Sequence, residues 1–151
     1  MYQCPTPAEE TLRALDAAAA LCAARGRRFT ANRRKALQLL LEAGRPLSAY
    51  ELLERLTSEG FASQPPVAYR ALDFLIEQGF VHKLRDRKTF VACQHPSENH
   101  GAGFLICRDC GRVREVCVEP QHGAFGAAAR EAGFRIERTV LEAEGVCDRC
   151  S

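Results

Sequence analysis

The chain has no stretch long enough to cross a membrane, because none of its apolar runs approaches the roughly 18 residues that a spanning helix requires. Its first residues, MYQCPTPAEETL, also lack the basic flank and following apolar stretch of an export signal. Together these absences lead to the expectation of a cytoplasmic protein. Charge of one sign is scarce as well: the net charge is only +2 over 151 residues, so any electrostatic attraction has to be local. There is no internal repeat and no low-complexity stretch apart from an Ala-rich segment near the start. The HExxH pattern of a zinc hydrolase is missing, and no spare carboxylate stands where a general base would be needed.

Against these absences, a hydrophobic fraction of 46% is enough for one medium domain or two small ones. The charge is unevenly spread. Residues 1–92 carry 14 Lys and Arg against 10 Asp and Glu, whereas residues 93–151 carry 7 against 9. The asymmetry favours a nucleic-acid-facing N-terminal half, although ordinary scatter of solvated charge would look the same. Eight cysteines without an export signal point to metal or redox chemistry, since the cytosol keeps thiols reduced. Cys4 and Cys22 stand apart from the others and read as incidental or packed.

Four helices are expected in the first half. The first spans about Glu9 to Ala24. The second follows Thr30 as N-cap, with Ala36, Leu37, Leu40 and Leu41 facing inward and Gly44 as its stop. SAYE opens the third as a capping box, Ser48 answered by Glu51, burying Leu52, Leu53 and Leu56 and ending at Gly60. Pro65 and Pro66 start the fourth, whose core face is Ala68, Ala71, Leu72 and Leu75, while Pro66, Tyr69, Arg70 and Asp73 face outward.

Gly79 stops that helix, and GFVHKLRDRKTFVAC follows as two short strands about a charged turn. Helices followed by a two-stranded hairpin form the order of a winged helix, with the last helix entering the major groove. Tyr69 and Arg70 lie in its first two turns, where base contacts are made, and Arg33 is a further candidate DNA contact. If Asp86 to Thr89 form the turn, Arg85 pairs with Phe90 and His82 comes opposite Cys93. Directly opposed side chains have Cβ atoms about 4.5–5.5 Å apart, close enough to share a metal ion.

The second half changes character. CQHPSENHGAG is a polar connector, FLICRDCGRVREVCVE alternates like a hairpin, QHGAFGAAAREAG is a short helix, and FRIERTVLEAEG is a strand leading to CDRC. Cys107 and Cys110 form one CxxC, and Cys147 and Cys150 another. Two such pairs complete a closed Cys4 tetrahedron, the arrangement of structural zinc, and Gly111 suits the turn of a zinc knuckle. A thiol-redox pair would sit at a helix N-terminus, and ICRDCG lies in a turn between strands. Further metal-ligand candidates are His82, Cys93, His95, His100, Glu115, Cys117, Glu119 and His122. A mixed thiolate, imidazole and carboxylate set drawn from separate segments can form and dissolve with metal supply.

The segments LSAYELLERL, PPVAYRALDFLIEQGFVHK, FVAC, FLICRDCGRVREV and GVCDRC resemble the ferric uptake regulator superfamily, and more closely its zinc uptake regulator branch, across about residues 27–150. The resemblance implies an α+β protein: a winged-helix DNA-binding domain at 1–92, a connector with hinge and metal ligands at 93–103, and an α/β dimerisation and zinc-binding domain at 104–151. It implies a homodimeric repressor of zinc uptake genes, not an enzyme, that binds palindromic double-stranded operator DNA when zinc is plentiful. Two Zn2+ per chain are implied, one structural and one sensed through His82, Cys93, His100 and Glu115. The family's Thr-Val-Tyr-Arg is replaced here by Val67-Ala68-Tyr69-Arg70, which removes a threonine contact to the DNA backbone. The His-x-His of the iron and peroxide branches is absent, with Ala102-Gly103-Phe104 in its place. A thiol redox or peroxide sensor of the same superfamily is the alternative, and a third metal site at Glu119 or His122 stays open.

Overall fold

A computed structural model describes residues 7–61, 64–84, 88–93, 96, 101–137 and 139–151. The chain divides into two units, Met1–Ser97 and Glu98–Ser151. Among the described residues no helix is long and apolar enough to cross a membrane.

The first unit contains α1 (Pro7–Ala24), α2 (Ala31–Ala43), β1 (Leu47–Ser48), α3 (Ala49–Ser58), α4 (Pro65–Glu77), β2 (Val81–Leu84) and β3 (Thr89–Ala92). Its strands form one small sheet in the order β1-β3-β2, giving a winged helix. The helices enclose a continuous core in which Leu15 and Cys22 of α1, Leu37 and Leu40 of α2, Leu52 and Leu56 of α3, and Leu72 and Leu75 of α4 are buried together. Phe29 meets Phe80 edge to face, with ring centroids 6.3 Å apart, and joins the α1–α2 loop to the end of α4.

Local chemistry sets most of the helix ends. Ser48 accepts from the Glu51 backbone N–H at 3.1 Å, and the Ser48 N–H donates to the Glu51 carboxylate at 2.8 Å, so the capping box is complete. Those bonds, together with Arg45, hold the Glu51 carboxyl below its ordinary range. Thr30 occupies the N-cap of α2, but its side chain makes no cap hydrogen bond. Leu39, rather than Leu41, joins Ala36, Leu37 and Leu40 in the α2 core, and Leu41 and Leu53 are only partly buried. The 100° step per residue places Leu39 and Leu41 on either flank of the Leu37–Leu40 stripe, and neighbouring helices cover one flank more deeply. β1 leaves no mark in the sequence pattern, since two residues are too few to show an alternation.

The hairpin differs in register from the sequence expectation. Leu84 lies opposite Thr89, Lys83 opposite Phe90 and His82 opposite Val91, so His82 does not face Cys93 directly. Lys88 takes a left-handed φ of 49°, which lets the chain enter β3 one residue earlier than expected. Arg85, and with it the expected Arg85–Phe90 pair, lies outside the described residues.

The second unit consists of β4 (Gly101–Cys107), β5 (Val113–Val118), a 3-10 turn (Pro120–His122), α5 (Ala124–Glu131) and β6 (Val140–Gly145). β4 is central, antiparallel to β5 and parallel to β6. The glycines that read as connector are in fact strand residues. A Cβ on Gly101 would lie 2.8 Å from the Val118 carbonyl oxygen, and one on Gly103 would lie 2.9 Å from a Val118 methyl. β4 therefore needs glycine where β5 passes closest. β6 is shorter than FRIERTVLEAEG suggests: its pairs with β4 run from Val140 opposite Ala102 to Gly145 opposite Cys107.

Replacing Ser48 by Ala removes half of the capping box, and the expected loss is about 1 kcal/mol of stability. Denaturant unfolding should show a lower midpoint with an unchanged slope.

Candidate functional sites

The exposed face of α4 carries Tyr69, with 53% of its surface accessible, beside Arg70 and Asp73. Burial of Ala68, Ala71, Leu72 and Leu75 on the opposite side forces this orientation. Arg70 makes no hydrogen bond or ion pair among the described residues, so its five N–H donors are available to an external acceptor. Arg33 is engaged differently. Its guanidinium lies 3.7 Å above the centre of the Phe74 ring and donates to the Arg28 carbonyl.

In the hairpin beside α4, His82 and Cys93 come together despite the shifted register. The Cys93 N–H donates to the Phe80 carbonyl at 2.8 Å, which continues the β2–β3 ladder by one residue. Val91 is opposite His82, so Cys93, two residues further on, is its diagonal neighbour on the same face of the sheet. The ligand atoms of the two side chains lie within 4.8 Å of each other, Cys93 buried and His82 half-buried. An offset of two residues preserves the face, whereas an offset of one would have put the thiol on the other side.

The second unit holds the cysteine cluster. The Sγ atoms of Cys107, Cys110, Cys147 and Cys150 all lie within 4.8 Å of one another, with Cys110 and Cys147 at 3.7 Å. Zinc–thiolate bonds of about 2.3 Å imply sulfurs about 3.8 Å apart in a tetrahedron, so the four residues fit the ion. Three backbone features position them. β4 delivers Cys107 at its end, Gly111 turns the chain with a φ of 73°, and β6, running parallel to β4, brings Cys147 alongside. The Cys147 N–H points at the Cys107 sulfur at 3.4 Å. Backbone N–H groups of Cys110 and Cys147 lower the Cys107 thiol to about 6, whereas hydrogen bonds to Cys147 and Cys110 push Cys150 up to about 12.

Glu115 is half-buried on β5, opposite Phe104. Glu119 and His122 form an exposed pair with each other at 2.8 Å. Cys117 is exposed on β5, and Cys22 is packed in the first core, where burial raises its thiol. Cys4, His95 and His100 lie outside the described residues.

Comparison with known proteins agrees with this geometry. Residues 24–144 match the ferric uptake regulator family. The zinc uptake regulation protein of Escherichia coli (strain K12) is 38% identical over 131 residues, 86% of this chain and 77% of that protein. Among solved structures, a zinc uptake regulator complexed with zinc and DNA is 38% identical, with a TM-score of 0.83 over 93% of this chain and 94% of that one. The crystal structure of holo XcZur is 41% identical, with a TM-score of 0.79 over 90% of this chain and 95% of that one.

Loss of one sulfur by Cys107→Ser or Cys150→Ser should leave a three-ligand site and a poorly folded second unit, visible as lost zinc and collapsed amide dispersion in that half of the NMR spectrum. A fully folded mutant would contradict the structural role. Because its neighbours' hydrogen bonds raise the Cys150 thiol, zinc has to expel its proton on binding. Zinc added to reduced, metal-free protein in weak buffer should release acid, and its affinity should rise with pH across the neutral range.

Proposed function

We propose, from the premise that this chain belongs to the ferric uptake regulator family, that it is a zinc-responsive transcriptional repressor and not an enzyme. The observation that carries the proposal is the metal-ligand pair in the wing. The unit that presents α4 also holds an imidazole and a thiol with ligand atoms within 4.8 Å of each other. Metal occupancy there acts directly on the DNA-binding half.

In this reading Arg70 makes two bonds to a guanine edge and Tyr69 meets a thymine methyl or a phosphate. Arg33 lies close behind them, stacked on Phe74 of the same helix. Residues 1–92 read DNA, the segment between Cys93 and β4 is the hinge, and the unit built on β4, β5 and β6 dimerises. Exposed Leu105, Phe125, Phe134 and Leu141 supply the apolar surface that a homodimer would cover. Two such units present two recognition helices, so the operator is a near-palindrome with half-sites about one helical turn apart.

We assign two zinc ions per chain. The Cys107, Cys110, Cys147 and Cys150 site is structural, and His82, Cys93, His100 and Glu115 form the sensory set. Zinc, when bound, supplies the cross-link that joins these side chains. His82 and Cys93 contribute the wing's side of it, Glu115 the β5 side and His100 the connector. Holding them together fixes the angle of the DNA-binding half and with it the spacing of the two α4 helices, a population shift driven by differential binding. Burial of Cys93 speaks against a redox sensor, whose reactive thiol has to be reached by oxidant. The protein acts in the cytoplasm on genes of zinc uptake.

DNA binding titrated against free zinc, iron and manganese tests the function: zinc should promote it at the lowest free concentration, and an equal response to iron would overturn the zinc assignment. Cys93→Ser should keep the Cys4 zinc and the dimer while requiring at least about tenfold more free zinc for DNA binding. An unchanged zinc response would place the sensor elsewhere. Arg70→Ala should cost about 1–3 kcal/mol and relax preference at one position per half-site, whereas uniform weakening on all sequences would assign Arg70 to phosphate.

A further inference from the structure

Two arginines of the basic run Arg25-Gly26-Arg27-Arg28 are folded back onto the end of α4. Arg25 Nη1 donates to the Gln78 carbonyl at 2.8 Å and lies 3.3 Å from the Gln78 side-chain oxygen. Gln78 caps α4 and is the one buried polar side chain among the described residues, 8% exposed. Arg27 Nη2 lies 2.9 and 3.0 Å from the two carboxylate oxygens of Glu77, the last residue of α4. The Arg27 and Arg33 guanidinium groups also sit over the Phe74 ring, and that of Arg25 over Phe80.

These contacts meet an electrostatic need of α4. The helix has no basic residue in its last turn and carries Glu77 there, at the negative end of its dipole. Cations supplied from the α1–α2 loop offset both the carboxylate and the free carbonyls. Leverage makes the location matter. Arg70 is seven residues from Glu77, so a tilt of about 5° pivoted at the C-terminus would move it by about 1 Å at 1.5 Å rise per residue. A two-bond contact to a base edge requires placement within about 0.5 Å.

We infer that Arg25 and Arg27 are positioning residues for the recognition helix, setting base discrimination through Gln78 and Glu77 without touching DNA. The inference rests on the DNA-binding reading above. It predicts the same sign for two opposite charges: removing Glu77 harms discrimination just as removing Arg27 does. A phosphate-binding Arg27 predicts opposite signs, since loss of a nearby carboxylate would strengthen attraction to DNA.

The test uses the full-length, zinc-loaded protein, a duplex selected by the wild type from a randomised library, and a mate with one guanine changed in each half-site. Arg27→Ala, Glu77→Ala and their double variant should each lower the affinity ratio of the two duplexes about fivefold, the double no further than either single. The salt dependence of binding should stay as in the wild type. A salt slope reduced by about 0.9 in Arg27→Ala, with both duplexes weakened equally and Glu77→Ala binding both more tightly, would make Arg27 a phosphate contact and overturn the inference. An unchanged ratio in both single variants would overturn it too. Glu77→Gln keeps the arginine on Phe74 and decides the matter if Arg27→Ala unfolds: a reduced ratio with a wild-type melting temperature supports positioning, and a wild-type ratio refutes it. A wild-type protein that selects no duplex with zinc present overturns the regulator reading itself, and the positioning role falls with it.

Discussion

Burial of one stripe of α4 is the constraint on which the first unit depends. Ala68, Ala71, Leu72 and Leu75 are each 3% exposed or less, and their spacing leaves only the opposite side of the helix for Tyr69 and Arg70. Each buried leucine contributes about 1.5–3 kcal/mol. Rotating the helix by one residue would expose part of that stripe and press Arg70 toward a core with no partner for its charge. The face offered to DNA is therefore chosen by the interior, before any DNA is present.

The wing follows the same logic with a different period. Alternation in a strand has period two, so His82 and Cys93 share a face in either of two registers that differ by two residues. The observed register makes them diagonal neighbours instead of opposed ones, and their ligand atoms still meet. A pair of ligand candidates built this way tolerates a two-residue shift in strand pairing, the shift that separates expectation from structure here.

Stabilisation differs between the halves. The first unit has a core assembled from four helices, whereas among the described residues of the second the buried hydrophobics are Ala102, Phe104, Ile106 and Cys107. Small units with limited cores depend on metals or association for the remainder. Zinc held by the Cys4 cluster, where β4 and β6 end side by side, would meet that need by turning its binding energy into folding energy. Charge is also used locally. Arg27 with Glu77, Arg34 with Asp16, Lys35 with Glu59 and Arg45 with Glu51 are paired within the first unit, so part of its basic charge is neutralised locally.

Helix positions, the capping box, the α4 core face and the two CxxC pairs were legible in the sequence because each depends on residues a few positions apart, within reach of helical period or knuckle spacing. The residue types able to chelate a metal are likewise visible in the sequence. The hairpin register, the strand identity of Gly101 and Gly103 and the contacts of Arg25 and Arg27 with the end of α4 were decided only by the tertiary structure. Register depends on the turn conformation at Lys88, glycine in β4 on how closely β5 passes, and the arginines on partners about 50 positions away. Local pattern specifies which groups a segment offers, and packing over long sequence separations determines what each of them meets.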